Sequence, residues 1–399
     1  MEDELTTAAQ HPGPDVTEPR AGDADGPGDG IHAAGRGEGR PSDWLRDFHP
    51  GWFGAVMGTG AFAVAASLNP GQVAAFVSPA RTFSQTMAAV TGVMAAVLIG
   101  PYLARFVRHG DAALTDLRSP LRGAQFATLP AAILVLALTA TAVGPTWWSA
   151  ATVRDLVAAF AWLGVPLTFV TGIYFAYLLF VSEQMTHEDI TGRWFIPPVA
   201  AIVIPLVLAP LMPGDSPVVA RTLLLASYGF WGMGFLLYVL VATTLHHRLV
   251  GRPAPHAHLA PSWMIGLGPV AVAGLALVKM ASVGAVLFRS LAPAVGLLSR
   301  LAATALWGFG VWWLIAAVGM LVVHYLRHGR IPYEVGWWGF IFPLGAFTIL
   351  TVNLAKAWGL PWLQWVGAAL FVLLGLFWLF VAGWTVWAMR TGQAWRRPQ

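Results

Sequence analysis

The chain has 399 residues, 57% of them hydrophobic and only 11% charged, with a mean hydropathy of +0.65. A soluble domain carries about a quarter of its residues as charges, so this composition excludes an ordinary water-soluble enzyme and points to an all-α polytopic membrane protein. The absence of cysteine excludes a disulfide scaffold, a thiolate metal site and thiol chemistry, and a net charge of +4 spread along an apolar chain gives no basic stripe for nucleic acid.

Residues 1–48 are a different material from the rest. Eleven of the 19 acidic residues lie before position 50, and the run GDADGPGDGIHAAGRGEGR (22–40) has almost nothing to bury, which predicts a disordered cytoplasmic tail. No basic and then apolar leader opens the chain, so the first span is expected to act as an uncleaved insertion signal. From Pro50 onward, ten stretches long enough to cross ~30 Å of hydrocarbon follow at 50–68, 83–105, 124–143, 154–181, 195–212, 222–245, 261–280, 296–326, 337–357 and 362–389. They form a membrane domain over 49–390, followed by a short cytoplasmic tail over 391–399. Ten is even, so both ends of the chain share a side. Sixteen arginines fall on that side and five on the other, which places both termini in the cytoplasm and the protein in the cell membrane by the positive-inside rule.

A repeat underlies this layout. The odd-numbered spans carry helix-breaking residues: Gly58 and Gly60 in the first, Pro130 in the third, Pro205 in the fifth, Pro269 in the seventh and Pro343 in the ninth. Trp263 and Trp337 each stand six residues before such a proline, and Trp52 stands six before Gly58. This punctuation predicts five copies of a helical hairpin. A freed carbonyl is tolerated at membrane depth only against protein or water, so the odd spans are expected inside, lining a path, with the even ones outside. The alternative is that Gly and Pro are simply common in membrane helices.

The eight acidic residues beyond the tail, Glu334 among them, all fall in loops or at span ends. A proton-coupled pump or cation pathway keeps carboxylates within the bilayer; an anion path needs the reverse. Lys279 and Lys356, the only lysines, sit near the outer ends of spans 7 and 9. They read either as snorkelling side chains or as a positive mouth that concentrates anions. In Gly58-Thr59-Gly60, missing Cβ atoms could present backbone N–H groups and a hydroxyl to an anion, or could let helices pack closely. Phe340, Phe342 and Phe347 flank Pro343, where a kink would turn neighbouring rings toward the axis; the plainer role for each is packing or lipid contact. His246, His247, His256 and His258 match no zinc spacing, so no metal and no cofactor is expected. The paired tryptophans, such as Trp147/Trp148 and Trp312/Trp313, read as interface belts.

At HPGWFGAVMGTGAFAVAA (49–66) and WWGFIFPLGAFTIL (337–350) the chain resembles the tellurite-resistance/dicarboxylate transporter family. That family includes TehA-type anion channels, fungal malate and sulfite transporters and plant slow anion channels. The resemblance covers roughly 44–390. It implies ten transmembrane helices as five hairpins around a central pore, and a homotrimer with one pore per subunit. It also implies an aromatic plug from the ninth helix, matched best by Phe342 and next by Phe340. Gly58, Thr59, Gly60, Pro130, Pro205, Pro269 and Pro343 are then the expected pore-lining residues. The function expected is an anion channel or facilitative transporter for small inorganic or organic anions across the lipid bilayer. The alternative is a coupled dicarboxylate (malate) carrier, or a sulfite or tellurite exporter. No enzyme is expected, because no Asp, Glu or Cys falls at membrane depth and the one nearby histidine, His324, lies at a span end.

Overall fold

The computed structural model describes residues 43–182, 185–250, 257–329 and 333–395, and these are helical with no strand among them. Ten principal helices run in chain order. They are α1 (Phe53–Ser67), α2 (Val77–Arg108), α3 (Thr128–Val143), α4 (Ala150–Val181), α5 (Ile196–Leu208), α6 (Pro217–Leu249), α7 (Leu267–Val283), α8 (Ala292–His328), α9 (Ile341–Trp358) and α10 (Pro361–Arg390). Among the described residues nine helical segments are long and apolar enough to cross a membrane. The tenth, α1, has 15 residues, a rise of about 22 Å, and is lengthened by the 3-10 turn Pro50–Trp52 before it.

Consecutive helices pair as hairpins: α1 with α2, α3 with α4, α5 with α6, α7 with α8 and α9 with α10. The odd helices also touch one another in sequence, α1–α3–α5–α7–α9, and α9 closes back on α1. Five short helices thus form a closed inner ring inside five longer ones. Burial follows this division. In the spans holding α3, α5, α7 and α9, 72–94% of the apolar window is buried, against 11–22% for those of α2, α4, α6, α8 and α10. The outer helices expose Val, Leu, Phe and Trp side chains such as Val107, Phe180, Leu225 and Trp362, a surface that suits lipid and not water.

The inner helices begin differently from what the prolines suggest. Each is approached through a 3-10 segment: Pro50–Trp52, Ala124–Ala127, Gly192–Phe195, Ala257–Gly266 and Val335–Phe340. Pro130, Pro269 and Pro343 then occupy the third position of α3, α7 and α9, and Pro197 and Pro198 the second and third of α5. In the first turn no intrahelical partner exists for the N–H, so proline there costs no hydrogen bond and starts a helix. The expected breaks are therefore beginnings, Pro343 does not kink α9, and Pro205 alone of the expected breakers sits in a helix interior as a proline.

Glycines set the spacing of the ring. A Cβ on Gly58 would lie 2.8 Å from Ile341 Cβ of α9, and one on Gly60 would lie 2.6 Å from Val135 Cγ1 of α3. Both mark backbone-close helix contacts.

The tail expected over 1–48 falls mostly outside the described residues, but its last six are folded. Leu45 and Phe48 are buried, and Arg105, at the end of α2, donates from Nε to the Arg46 carbonyl at 2.9 Å while its guanidinium pairs with buried Asp116. The folded unit therefore starts earlier than 49, because apolar side chains there have a surface to cover. At the other end, Trp395 packs its ring on Trp44 and Trp52 with centroids 5.7 and 5.8 Å apart.

Candidate functional site

Two cavities lie inside the ring, each lined by all five hairpins. One, of about 50 Å³, sits at the N-terminal ends of the inner helices; the other, of about 190 Å³, sits at their C-terminal ends. The smaller has room for only a few waters. Each inner helix presents one stripe to this path. On α1 it is Met57, Ala61 and Val64, continued by Leu68 just after the helix; on α5 it is Ile196, Val199, Val203 and Leu206; on α9 it is Phe342, Ala346, Ile349 and Asn353. Spacings of three and four keep these residues on one helical face.

Phe342 lines both cavities and is 6% exposed. Its ring approaches α7, with Cε1 3.6 Å from where a Cβ of Gly268 would stand. One turn further on, the same stripe holds only Ala346, so the ring is the bulky step between the two spaces. Phe340 lies elsewhere: it is fully buried, stacked on Trp337 and Phe377 at 5.4 and 5.5 Å, and lines neither cavity. Phe347 stacks on Trp307 of α8 at 6.2 Å. Without a kink at Pro343, helical periodicity alone decides which ring faces the axis.

Among the other expected pore-lining residues, Pro343 borders the smaller cavity and Pro130, Pro205 and Pro269 border neither. Gly58 and Gly60 face α9 and α3, as above. Thr59 points outward, donating to Met94 Sδ at 3.7 Å and accepting from Trp378 Nε1 at 3.0 Å. The stretch thus packs helices and does not line the path, because the stripe facing the axis passes through Met57 and Ala61. Lys279 lines the larger cavity, near Asn353, Thr141 and Ser67. Lys356 is exposed in the last turn of α9, outside both. Of the histidine cluster, His246 and His247 close α6, while His256 lies outside the described residues; no metal-binding group occurs among those described.

A polar cluster whose charged members, Arg193 and Glu334, the sequence places in loops lies at the smaller cavity. Arg193 and Glu334 both line it, both are buried, and they form an ion pair. Gln125, oriented to satisfy its neighbours, accepts from Arg193 Nη1 at 3.2 Å and Nε at 3.0 Å and donates to His49 Nδ1 at 3.2 Å. Ser262 lines the same space. His49, Gln125, Arg193, Ser262 and Glu334 come from five different hairpins, each from the 3-10 segment before an inner helix or the residue just ahead of it. Gly192 permits the assembly, since a Cβ there would lie 2.0 Å from the Ser262 carbonyl oxygen. The usable signal was positional: a polar residue shortly before the start of each inner helix. Beside Glu334, burial pushes the Tyr333 phenol up to about 12; the Glu334 charge adds to this and the 3.1 Å hydrogen bond to Thr385 opposes it.

The electrostatics of the path favour anions at the smaller cavity, and at the larger one Lys279 offsets the partial negative charge of the helix C-termini. Five helix N-termini, each with a partial positive charge, surround the smaller cavity together with Arg193. Among the described residues, Lys279 makes no ion pair at the larger one. Among the described residues, the only carboxylate lining either cavity, Glu334, is neutralised by Arg193.

The family model for the voltage-dependent anion channel SLAC1 matches residues 47–386. An uncharacterized transporter of Methanocaldococcus jannaschii is 28% identical over 89% of this chain and 97% of its own length. The sulfite efflux pump SSU1 of Trichophyton rubrum is 25% identical over 92% and 98%. The malic acid transport protein of Schizosaccharomyces pombe is 22% identical over 54% and 51%. With a matched segment that takes in all ten helices but the last turn of α10, the chain belongs to the SLAC1 family of voltage-dependent anion channels, a family of membrane anion transporters and channels.

Proposed function

We propose that the protein conducts small anions passively along the axis of the inner ring, with the Phe342 ring as the barrier between two vestibules. The observation that carries this reading is that, among the described residues, Phe342 alone lines both cavities and lies on the stripe facing the axis. A ring across a narrow apolar path blocks by sterics and dewetting, which needs no charge. The basic asymmetry of the loops supports an orientation with the Arg193 vestibule toward the cytoplasm and the Lys279 vestibule toward the outside of the cell membrane. Similarity over nearly the full length to sulfite efflux pumps favours small oxyanions as cargo.

The test is reconstitution into liposomes with outward and inward gradients of chloride, nitrate, sulfite and malate. Passive conduction predicts flux down each gradient that is insensitive to a protonophore, with sulfite or nitrate ahead of malate. Malate transport that collapses with the proton gradient would replace this reading with the coupled carrier.

A further inference from the structure

A buried carboxylate is out of place on the wall of an anion path. Glu334 is 8% exposed, lines the smaller cavity, and is held by the Arg193 guanidinium, itself 5% exposed and on the same wall. The remaining donors of Arg193 aimed at neighbours, Nη1 and Nε, are taken by the Gln125 amide oxygen. Among the described residues, the one cation lining this part of the path is therefore already occupied by protein acceptors.

The geometry points to Glu334 as a tethered competitor for the cargo. We propose that Arg193 is the anion-binding residue of this vestibule, that its ligands are small oxyanions with a planar or pyramidal O–X–O fork, and that such an anion binds by displacing the Glu334 carboxylate. A guanidinium offers a fixed fork of N–H donors that fits a carboxylate, and the same fork fits nitrate, bicarbonate or sulfite. Gln125 stays behind as the second acceptor and keeps the guanidinium aimed across the cavity. The arrangement avoids two costs. With no cargo, Arg193 is never an unpaired buried charge, which is strongly unfavourable; with cargo, affinity is held down by competition, so the anion is released. Spherical chloride, which cannot use both arms of the fork, gains least.

This inference rests on the conduction reading above, and a binding measurement separates the two. Melting temperature of the detergent-solubilised full chain is recorded against sulfite, nitrate and chloride for wild type, Glu334→Gln, Arg193→Gln and the double variant, because a ligand bound only to the folded state raises it whether or not it is transported. Removing a charge-assisted competitor is expected to strengthen sulfite binding roughly tenfold or more in Glu334→Gln, to abolish it in Arg193→Gln, and to leave the double variant like Arg193→Gln. Liposome flux at low sulfite should follow the same order. If Glu334→Gln does not fold, Glu334→Asp, with the charge kept on a shorter arm, should give a smaller gain in the same direction. Unchanged or weaker sulfite binding in the Glu334 variant that folds, or a double variant that binds like wild type, would overturn the proposal and leave the pair as a staple between two hairpins. Absence of flux in wild type with the binding order intact would instead overturn conduction alone.

Discussion

Three phenylalanines within eight residues of one another have three different surroundings, and substitution should separate them. Phe342→Ala removes the ring shared by both cavities, so anion flux in liposomes should rise severalfold while cations stay excluded. Phe340→Ala empties a fully buried stack against Trp337 and Phe377; it should leave flux unraised and lower stability by roughly 3 kcal/mol, read as a drop in melting temperature. An increase for Phe340→Ala and none for Phe342→Ala would move the barrier off the axis drawn here. The two lysines divide in the same way. Lys279→Gln should reduce flux at low ionic strength, with the difference fading as salt screens the vestibule, whereas Lys356→Gln, outside both cavities, should change flux little at any salt. In the sequence Phe342 was singled out by the resemblance to the family's aromatic plug and by a kink expected at Pro343, which instead opens the helix. The Arg193–Glu334 pair was not legible, because its two members are 141 positions apart and each, taken alone, looks like an ordinary loop charge.

At the scale of elements, the 3-10 segments before the inner helices are the parts most exposed to test. Gly192→Ala would drive a Cβ into the Ser262 backbone, and the forced shift should cost about 1–3 kcal/mol while misplacing Arg193. Melting temperature and sulfite binding should therefore fall together. Tyr333 gives a pH signature for the segment before α9. Its phenol, raised from 10.0 to about 12 by burial, holds its proton more tightly when folded. The stabilisation is complete below pH 10 and is lost as pH rises from 10 toward 12, roughly 2–3 kcal/mol for a shift of this size. Tyr333→Phe should start less stable, having lost the bond to Thr385, yet decline less steeply over that interval in a melting series. The helices themselves were readable from apolar run length, and the hairpin period from the spacing of tryptophans and prolines. Which face of an inner helix meets the axis was not readable, because its packing and path-lining faces are both apolar and the stripe carries no contrast. The prolines then misled by chemistry: the same residue that breaks a helix interior opens a helix at its first turn.

The whole molecule carries the orientation. Cysteine is absent from the chain, so single cysteines report without background. Asp155→Cys, exposed near the start of α4, should react with an impermeant maleimide added to intact cells, and Thr391→Cys, exposed just after α10, should not; the reverse pattern would turn the protein over in the membrane. The ring also explains the uneven burial of the two helix sets without reference to individual contacts. Five inner helices shield one another on every side, and the outer five are left to face lipid.

The meeting of Trp395 with Trp44 and Trp52 has a topological meaning. The last hairpin closes against the first, so the seam where the polypeptide starts and stops is only one of five similar junctions around the circle. Chain order is then nearly incidental to the architecture, and a circular permutant should fold. Joining residue 395 to residue 44 through a short linker, and opening the chain between α4 and α5, asks of the membrane-inserted protein only that hairpins assemble in a rotated order.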